Sequence, residues 1–232
     1  MENRQKFTLS PIEEQIAILC EAWPHLVPDR KIAILEKQHR LPFSPNLPQL
    51  LAFPRESAIC SGSYTDLLMK ELFFIIKRKF NGMFFNAVGE KGKIEWVEHD
   101  KRTTEMLRKL RRHQKGDILT VLIQLRSRHN RCSSRVAQSN LADNEFGLNS
   151  FMAGCLLLTN PGCLNSSGDT PIGCLGDWAR WMPRDLFGDE VPFALTPNYK
   201  KGSITGRLEF HMRGYPNGGN ISFPSAFLTE PN

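Results

Sequence analysis

The sequence predicts an α+β fold: N-terminal helices followed by antiparallel β-hairpins, with a basic amphipathic helix packed on the sheet. Three observations carry this. Apolar residues repeat at helical spacing in the first third of the chain, as in Ile12, Ile16, Leu19 and Cys20. Later segments alternate instead, as in Ile204–Met212. Turn residues separate neighbouring strand candidates by only a few positions, which favours antiparallel pairing.

The first helix is expected from Ser10-Pro11-Ile12-Glu13, where Ser10 can cap, Pro11 can occupy the first helical position and Glu13 can reach back. Trp23-Pro24 ends the run. A second short helix is predicted from Asp29 to about His39. Four prolines in residues 41–57 (Pro42, Pro45, Pro48 and Pro54) then predict an extended linker or wrapped arm. That arm sets a boundary between an N-terminal helical region, residues 1–57, and an α+β nucleic-acid-binding domain, residues 58–232.

Ser63 with Asp66 at N3 predicts the start of a longer, mostly buried helix through Leu67, Leu72, Phe73 and Ile76, closed by Asn81-Gly82. Only Lys77, Arg78 and Lys79 at its end should be wet. Residues 83–88 and 94–99, joined by Gly89-Glu90-Lys91-Gly92, predict a hairpin. Asp100 can cap a helix running to about Gln114, which Gly116 stops, and residues 118–126 read as a strand. Leu141–Gly154 is expected to be helical and Thr159–Gly176 a long loop. A strand over residues 203–213 should turn at Pro216-Asn217-Gly218-Gly219 and pair with residues 220–223.

Charge is the most uneven property of this chain. Residues 101–135 hold eleven Lys/Arg against two acids, a net +9 where the whole protein carries +6, leaving −3 for the remainder. On a helical wheel, Thr103, Met106, Leu107, His113 and Gln114 fall within about 60° of Leu110. Lys101, Arg108, Lys109, Arg111, Arg112 and Lys115 spread over the opposite side. Arg126 and Arg128 follow at the end of the next strand, then Arg131 and Arg135. Like charges at Arg108/Arg112 and Arg112/Lys115 repel, so a helix selected only for stability would intersperse acids. The expected partner is a phosphate backbone, RNA or DNA. The expected role is a non-catalytic nucleic-acid-binding protein, a subunit of a larger nucleoprotein complex with other protein subunits beside it. An adaptor for an acidic protein is the alternative reading of the same charge.

A second alternative is a metal-dependent nuclease. Glu209, His211 and Arg213 share one strand face; a carboxylate can hold Mg²⁺ and a guanidinium can stabilise phosphorane charge. Asp169, Asp177, Asp185, Asp189 and Glu190 are the acids able to add a second carboxylate. For zinc, His129 and Cys132 have ligand-pair spacing, with Cys155, Cys163 and Cys174 as further donors. No Cys-x-x-Cys occurs, so reduced free thiols and no cofactor are the simpler expectation. Trp178 and Trp181 beside Arg180 can stack on bases or roof a core.

Phosphate-cradling glycine loops and a Gly-x-Ser-x-Gly elbow are missing, which disfavours nucleotide hydrolysis and acyl transfer. The longest apolar runs, Leu72–Ile76 and Gly154–Thr159, are too short to span a bilayer, and no membrane partner is expected. A polar Met1–Ser10 and six cysteines without a secretory leader predict a cytoplasmic or equivalent reducing location.

Overall fold

The computed structural model describes residues 8–29, 48–86, 96–125, 133–163, 171–181, 193–201, 207–213 and 223–228. Within them the fold is mixed α and β, built from two sheets and a buried helix that touches both.

Helix α1 (Ile12–Ala22) ends where Trp23-Pro24 predicts. Its start differs from expectation. Pro11 is the cap and no side chain caps the helix; the Ser10 amide, the expected target of Glu13, donates to Asn160 Oδ1 at 2.7 Å. Gln15 is buried although polar, for a specific reason. Its Nε2 donates to Ser10 O and Leu50 O, and its Oε1 accepts from the Ala52 amide at 3.0 Å. The amide side chain thus satisfies the outer edge of strand β1 (Gln49–Pro54), which would otherwise be open.

That strand is the segment whose prolines predict a linker or arm. It is extended, but it is sheet. β1 pairs antiparallel with β4 (Ile118–Gln124), and Leu51, Ala52 and Phe53 are core residues. Pro54 closes the strand, where its missing amide costs little. The predicted helix over residues 29–39 lies almost wholly outside the described residues.

A short helix α2 (Glu56–Ile59) leads to α3, which runs through Tyr64–Asp66, a π-helical Leu67–Leu72 and Phe73–Lys79. The Ser63/Asp66 capping box forms as the sequence predicts, and Asn81 (φ 50°) and Gly82 (φ 78°) reverse the chain in the left-handed region. The wide π turn presents Leu67, Leu68 and Leu72 to the core. Leu72 comes so close to Gly154 that an added Cβ there would lie 2.5 Å from Leu72 Cδ2.

The predicted hairpin of residues 83–99 does not form, although both strands exist. β2 (Phe84–Asn86) pairs parallel with β9 (Leu208–Arg213), and β3 (Trp96–His99) pairs antiparallel with β7 (Asp177–Trp181). They stand at opposite ends of one sheet ordered β2-β9-β8-β7-β3, with β8 spanning Phe193–Lys201 and β6 (Ile172–Gly173) pairing β8. Long-range packing decides this: Phe84 meets Phe73 at 5.1 Å between ring centroids, and Phe73 meets Phe210 at 4.8 Å.

Helix α4 (Lys101–His113) is capped by Asp100, which accepts from the Arg102 and Thr103 amides. Beyond it Gly116 turns with φ 85°. β4 is central, with β1 and β10 (Ser225–Phe227) along its two edges and Ile118–Val121 buried, and the four-stranded sheet is completed by β5 (Glu145–Gly147). The helix predicted over 141–154 is therefore displaced: α5 covers Ser134–Ser139, β5 follows, and α6 covers Ser150–Thr159. All ten residues of α6 are buried, so no amphipathic period marks it. The long loop of 159–176 begins with a 3₁₀ turn, Pro161–Cys163, and ends in β6; residues 164–170 lie outside the described set. Of the predicted final hairpin, residues 214–222 also lie outside it. β9 is flanked by β8 and β2, while β10 belongs to the other sheet.

The core continues across position 57. Leu9, Ile12 and Leu19 share one apolar cluster with Leu51, Leu68, Leu107, Phe151 and Tyr199.

Candidate functional site

Helix α4 separates its residues by chemistry. Thr103, Met106, Leu107 and Leu110 are buried; Lys101, Arg108, Lys109, Arg112 and Lys115 are exposed. His113, placed near the apolar stripe by the wheel, is exposed, and Gln114 is half-buried. Gln114 is held by two 2.7 Å bonds, one to the Thr120 carbonyl and one from the Thr120 amide. Glu105 faces Lys109 at 3.5 Å. Asp117, the segment's other acid, accepts from the Val27 amide at 2.9 Å. Lys101, Arg108, Arg112 and Lys115 have no carboxylate partner among the described residues.

Two arginines of the basic segment turn inward. Arg102 donates to the carbonyls of Leu141 and Ala142. Arg111, expected on the outer face, donates from Nη2 to Glu56 Oε2 at 2.6 Å. Arg55, outside the predicted patch, donates to Gly116 O at 2.5 Å, to Arg111 O at 3.2 Å and to Gln114 O, so it closes the C-terminal end of α4. Arg135 is exposed on α5; Arg126, Arg128 and Arg131 lie outside the described residues.

Beneath Arg111 lies a cluster that local pattern does not announce. His99 Nδ1 meets Asp177 Oδ1 at 2.8 Å, and His99 Nε2 meets Glu56 Oε1 at 2.9 Å. Asp177 Oδ2 accepts from the Tyr64 hydroxyl at 2.8 Å and from the Ser150 amide, at the start of α6, at 2.6 Å. Tyr64 in turn accepts from the Phe151 amide at 3.0 Å and stacks tilted on His99, with ring centroids 4.1 Å apart. Asn149 caps α6 through Oδ1 and donates weakly to Glu56 at 3.4 Å.

Electrostatics fix the protonation of this cluster. Burial alone would push His99 down, but its bonds to Asp177 and Glu56, with their charges, raise it from 6.5 to about 10. Burial would push Glu56 up; the hydrogen bond and charge of His99, then Arg111, outweigh that and lower it. Tyr64 is raised by burial and by the charges of Asp177 and Glu56, and stays a phenol. At neutral pH His99 is therefore an imidazolium whose two N–H groups each donate to a carboxylate. The cluster ties α2, α3, α4, β3, β7 and the start of α6 together.

The nuclease candidates Glu209, His211 and Arg213 all lie on β9. Glu209 faces Lys200 at 3.2 Å, and strand β8 stands between Glu209 on β9 and Asp177 on β7. His211 and Arg213 lie on β9, with their side chains outside the described set. For zinc, His129 and Cys132 lie outside the described residues, while Cys163 and Cys174 are buried. Among the described residues no group of three or more His, Cys, Asp or Glu is placed to hold a metal ion. No helix among them is long and apolar enough to cross a membrane.

Sequence reasoning missed Glu56, Tyr64 and His99, and assigned Asp177 only to a different set. Glu56, His99 and Asp177 each sit at the end of an element, and nothing in the local sequence links them. Comparison with protein-family models, with curated proteins and with solved structures returned no match for this chain.

Proposed function

We propose that this chain is a non-catalytic nucleic-acid-binding protein, acting as a subunit of a larger nucleoprotein complex. It grips the phosphate backbone with the outer face of α4 and the strand and loop that follow. The supporting observation is an exposed basic row, Lys101, Arg108, Lys109 and Arg112 on α4 with Lys115 just beyond its end, accompanied by one acid, Glu105. Lys101, Arg108 and Arg112 fall within about 40° of one another around the helix, separated by rises of about 10 Å and 6 Å. A straight row of unpaired cations suits a string of phosphates. It reads no base edges, so binding is expected to be largely independent of sequence.

Arg111 has a different part in this reading. Anchored on Glu56, it holds α4 rigid, so that the outer cations need not be ordered when an anion arrives.

Salt-dependent binding to labelled oligonucleotides tests the proposal. Five phosphate contacts give a slope of log K against log salt of about −4.5, and Arg108→Ala/Arg112→Ala should flatten it by about 2. The double variant should melt at nearly the wild-type temperature, since both side chains are exposed. Wild-type protein that binds no oligonucleotide, or an unchanged slope in the double variant, refutes the proposal. Capture of an acidic protein in place of nucleic acid would favour the adaptor reading.

A further inference from the structure

Helix α3 buries Leu72, Phe73, Ile75 and Ile76, yet leaves Phe74 between them 62 % exposed. Lys77 and Arg78 follow at i+3 and i+4, both exposed, and so flank the ring on one side of the helix. Lys70, one turn earlier, is committed to Asp66 at 2.7 Å, and Glu71 is half-buried. Past the Asn81-Gly82 turn, Met83 is also 42 % exposed. Cations in the last turn complement the helix dipole whatever direction they point. That accounts for Lys77 and Arg78 but not for a phenyl ring held out in water between them and the solvent.

We propose that Phe74, with Lys77 and Arg78, is a stacking platform for an unpaired base of single-stranded nucleic acid. This rests on the reading that the chain binds nucleic acid, and it names the strand state that the second contact selects. The ring offers a face to any base, and the two cations meet the phosphates on either side of the stacked nucleotide. A duplex keeps its bases stacked on one another, so it gains nothing from Phe74. The charges on α4, by contrast, serve single strand and duplex alike. An anionic membrane would require a wider apolar face than one ring and Met83 supply.

The test compares wild type, Phe74→Ala and Arg108→Ala/Arg112→Ala by fluorescence anisotropy, on a labelled 20-nucleotide single strand and on its duplex. Phe74→Ala should weaken the single strand about tenfold and leave the duplex unchanged, whereas the arginine pair should weaken both. Phe74→Trp should keep single-strand affinity. Its added fluorescence, relative to wild type, should be quenched by the single strand and not by inorganic polyphosphate. Single-strand binding by Phe74→Ala equal to wild type overturns the stacking site and leaves the α4 reading standing. Equal loss on both ligands, or quenching by polyphosphate, also overturns it, because charge alone would then explain the effect. Wild-type protein that binds neither oligonucleotide overturns both proposals.

Discussion

Replacing His99 with Ala is expected to cost about 3–5 kcal/mol of stability, the penalty for leaving buried charge without its partner. For a chain of this size that lowers the melting temperature by about 10 °C. His99 is the common cation between Glu56 and Asp177, with its side chain only 15 % exposed and Asp177 fully buried. Without it, Asp177 keeps the Tyr64 hydroxyl and the Ser150 amide but no counter-charge. Glu56 keeps Arg111. Loss should therefore be larger at the Asp177 end of the cluster, and His99→Ala/Asp177→Asn should recover part of it. A melting temperature within 2 °C of wild type in His99→Ala would mean that water screens the cluster.

The same residue sets a pH dependence with a definite sign. His99 is raised in the folded protein from 6.5 to about 10, so its contribution is fully present below 6.5 and lost as pH rises through about 10. Between those values stability should fall by about 1.4 kcal/mol per pH unit, the linkage slope for one extra proton held by the native state. Glu56 is lowered from 4.5, so its contribution is present above 4.5 and lost as pH falls through its folded value. The two together place maximal stability between about pH 4.5 and 6.5. Chemical denaturation followed from pH 5 to 10 should show the alkaline loss in wild type and its absence in His99→Gln.

Gly147→Ala is the second large effect expected. A Cβ at Gly147 would strike Leu175 Cβ and come within 2.6 Å of Gly176 N, and Gly176 itself lies with its Cβ position 2.5 Å from Gly147 O. Two backbones cross here with no room for a side chain. The crossing cannot relax cheaply. The Gly176 amide donates to Leu148 O and the Asp100 amide donates to Gly176 O, both at 2.9 Å, so movement would disturb the cap of α4 and the approach to Asp177. Overpacking against backbone should cost about 3 kcal/mol, read as a lowered denaturation midpoint. Gly82→Ala is the control: nothing lies within 4 Å of its Cβ position, so only the left-handed conformation is penalised, at about 1 kcal/mol. A Gly147→Ala midpoint no lower than that of Gly82→Ala would disprove the close crossing.

Sequence alone determined the features that rest on neighbours in the chain. The Ser63/Asp66 capping box, the Asn81-Gly82 reversal, the Asp100 cap and the Gly116 stop all depend on hydrogen bonds or dihedrals within a few residues. The burial of Met106, Leu107 and Leu110 opposite Arg108 and Arg112 was legible for the same reason, since helical period fixes which residues share a face. Tertiary structure decided what distant partners settle. Residues 84–86 and 96–99 were recognisable as strands, but a strand carries no local mark of its partner, and each found a different one over a hundred residues or about eighty residues away. Helix α6 was misplaced because a helix buried on every side loses the alternation of polar and apolar that reveals it. The ion cluster was invisible because Glu56, His99 and Asp177 are far apart in sequence, and only the folded core brings their charges within 3 Å and makes burying them tolerable.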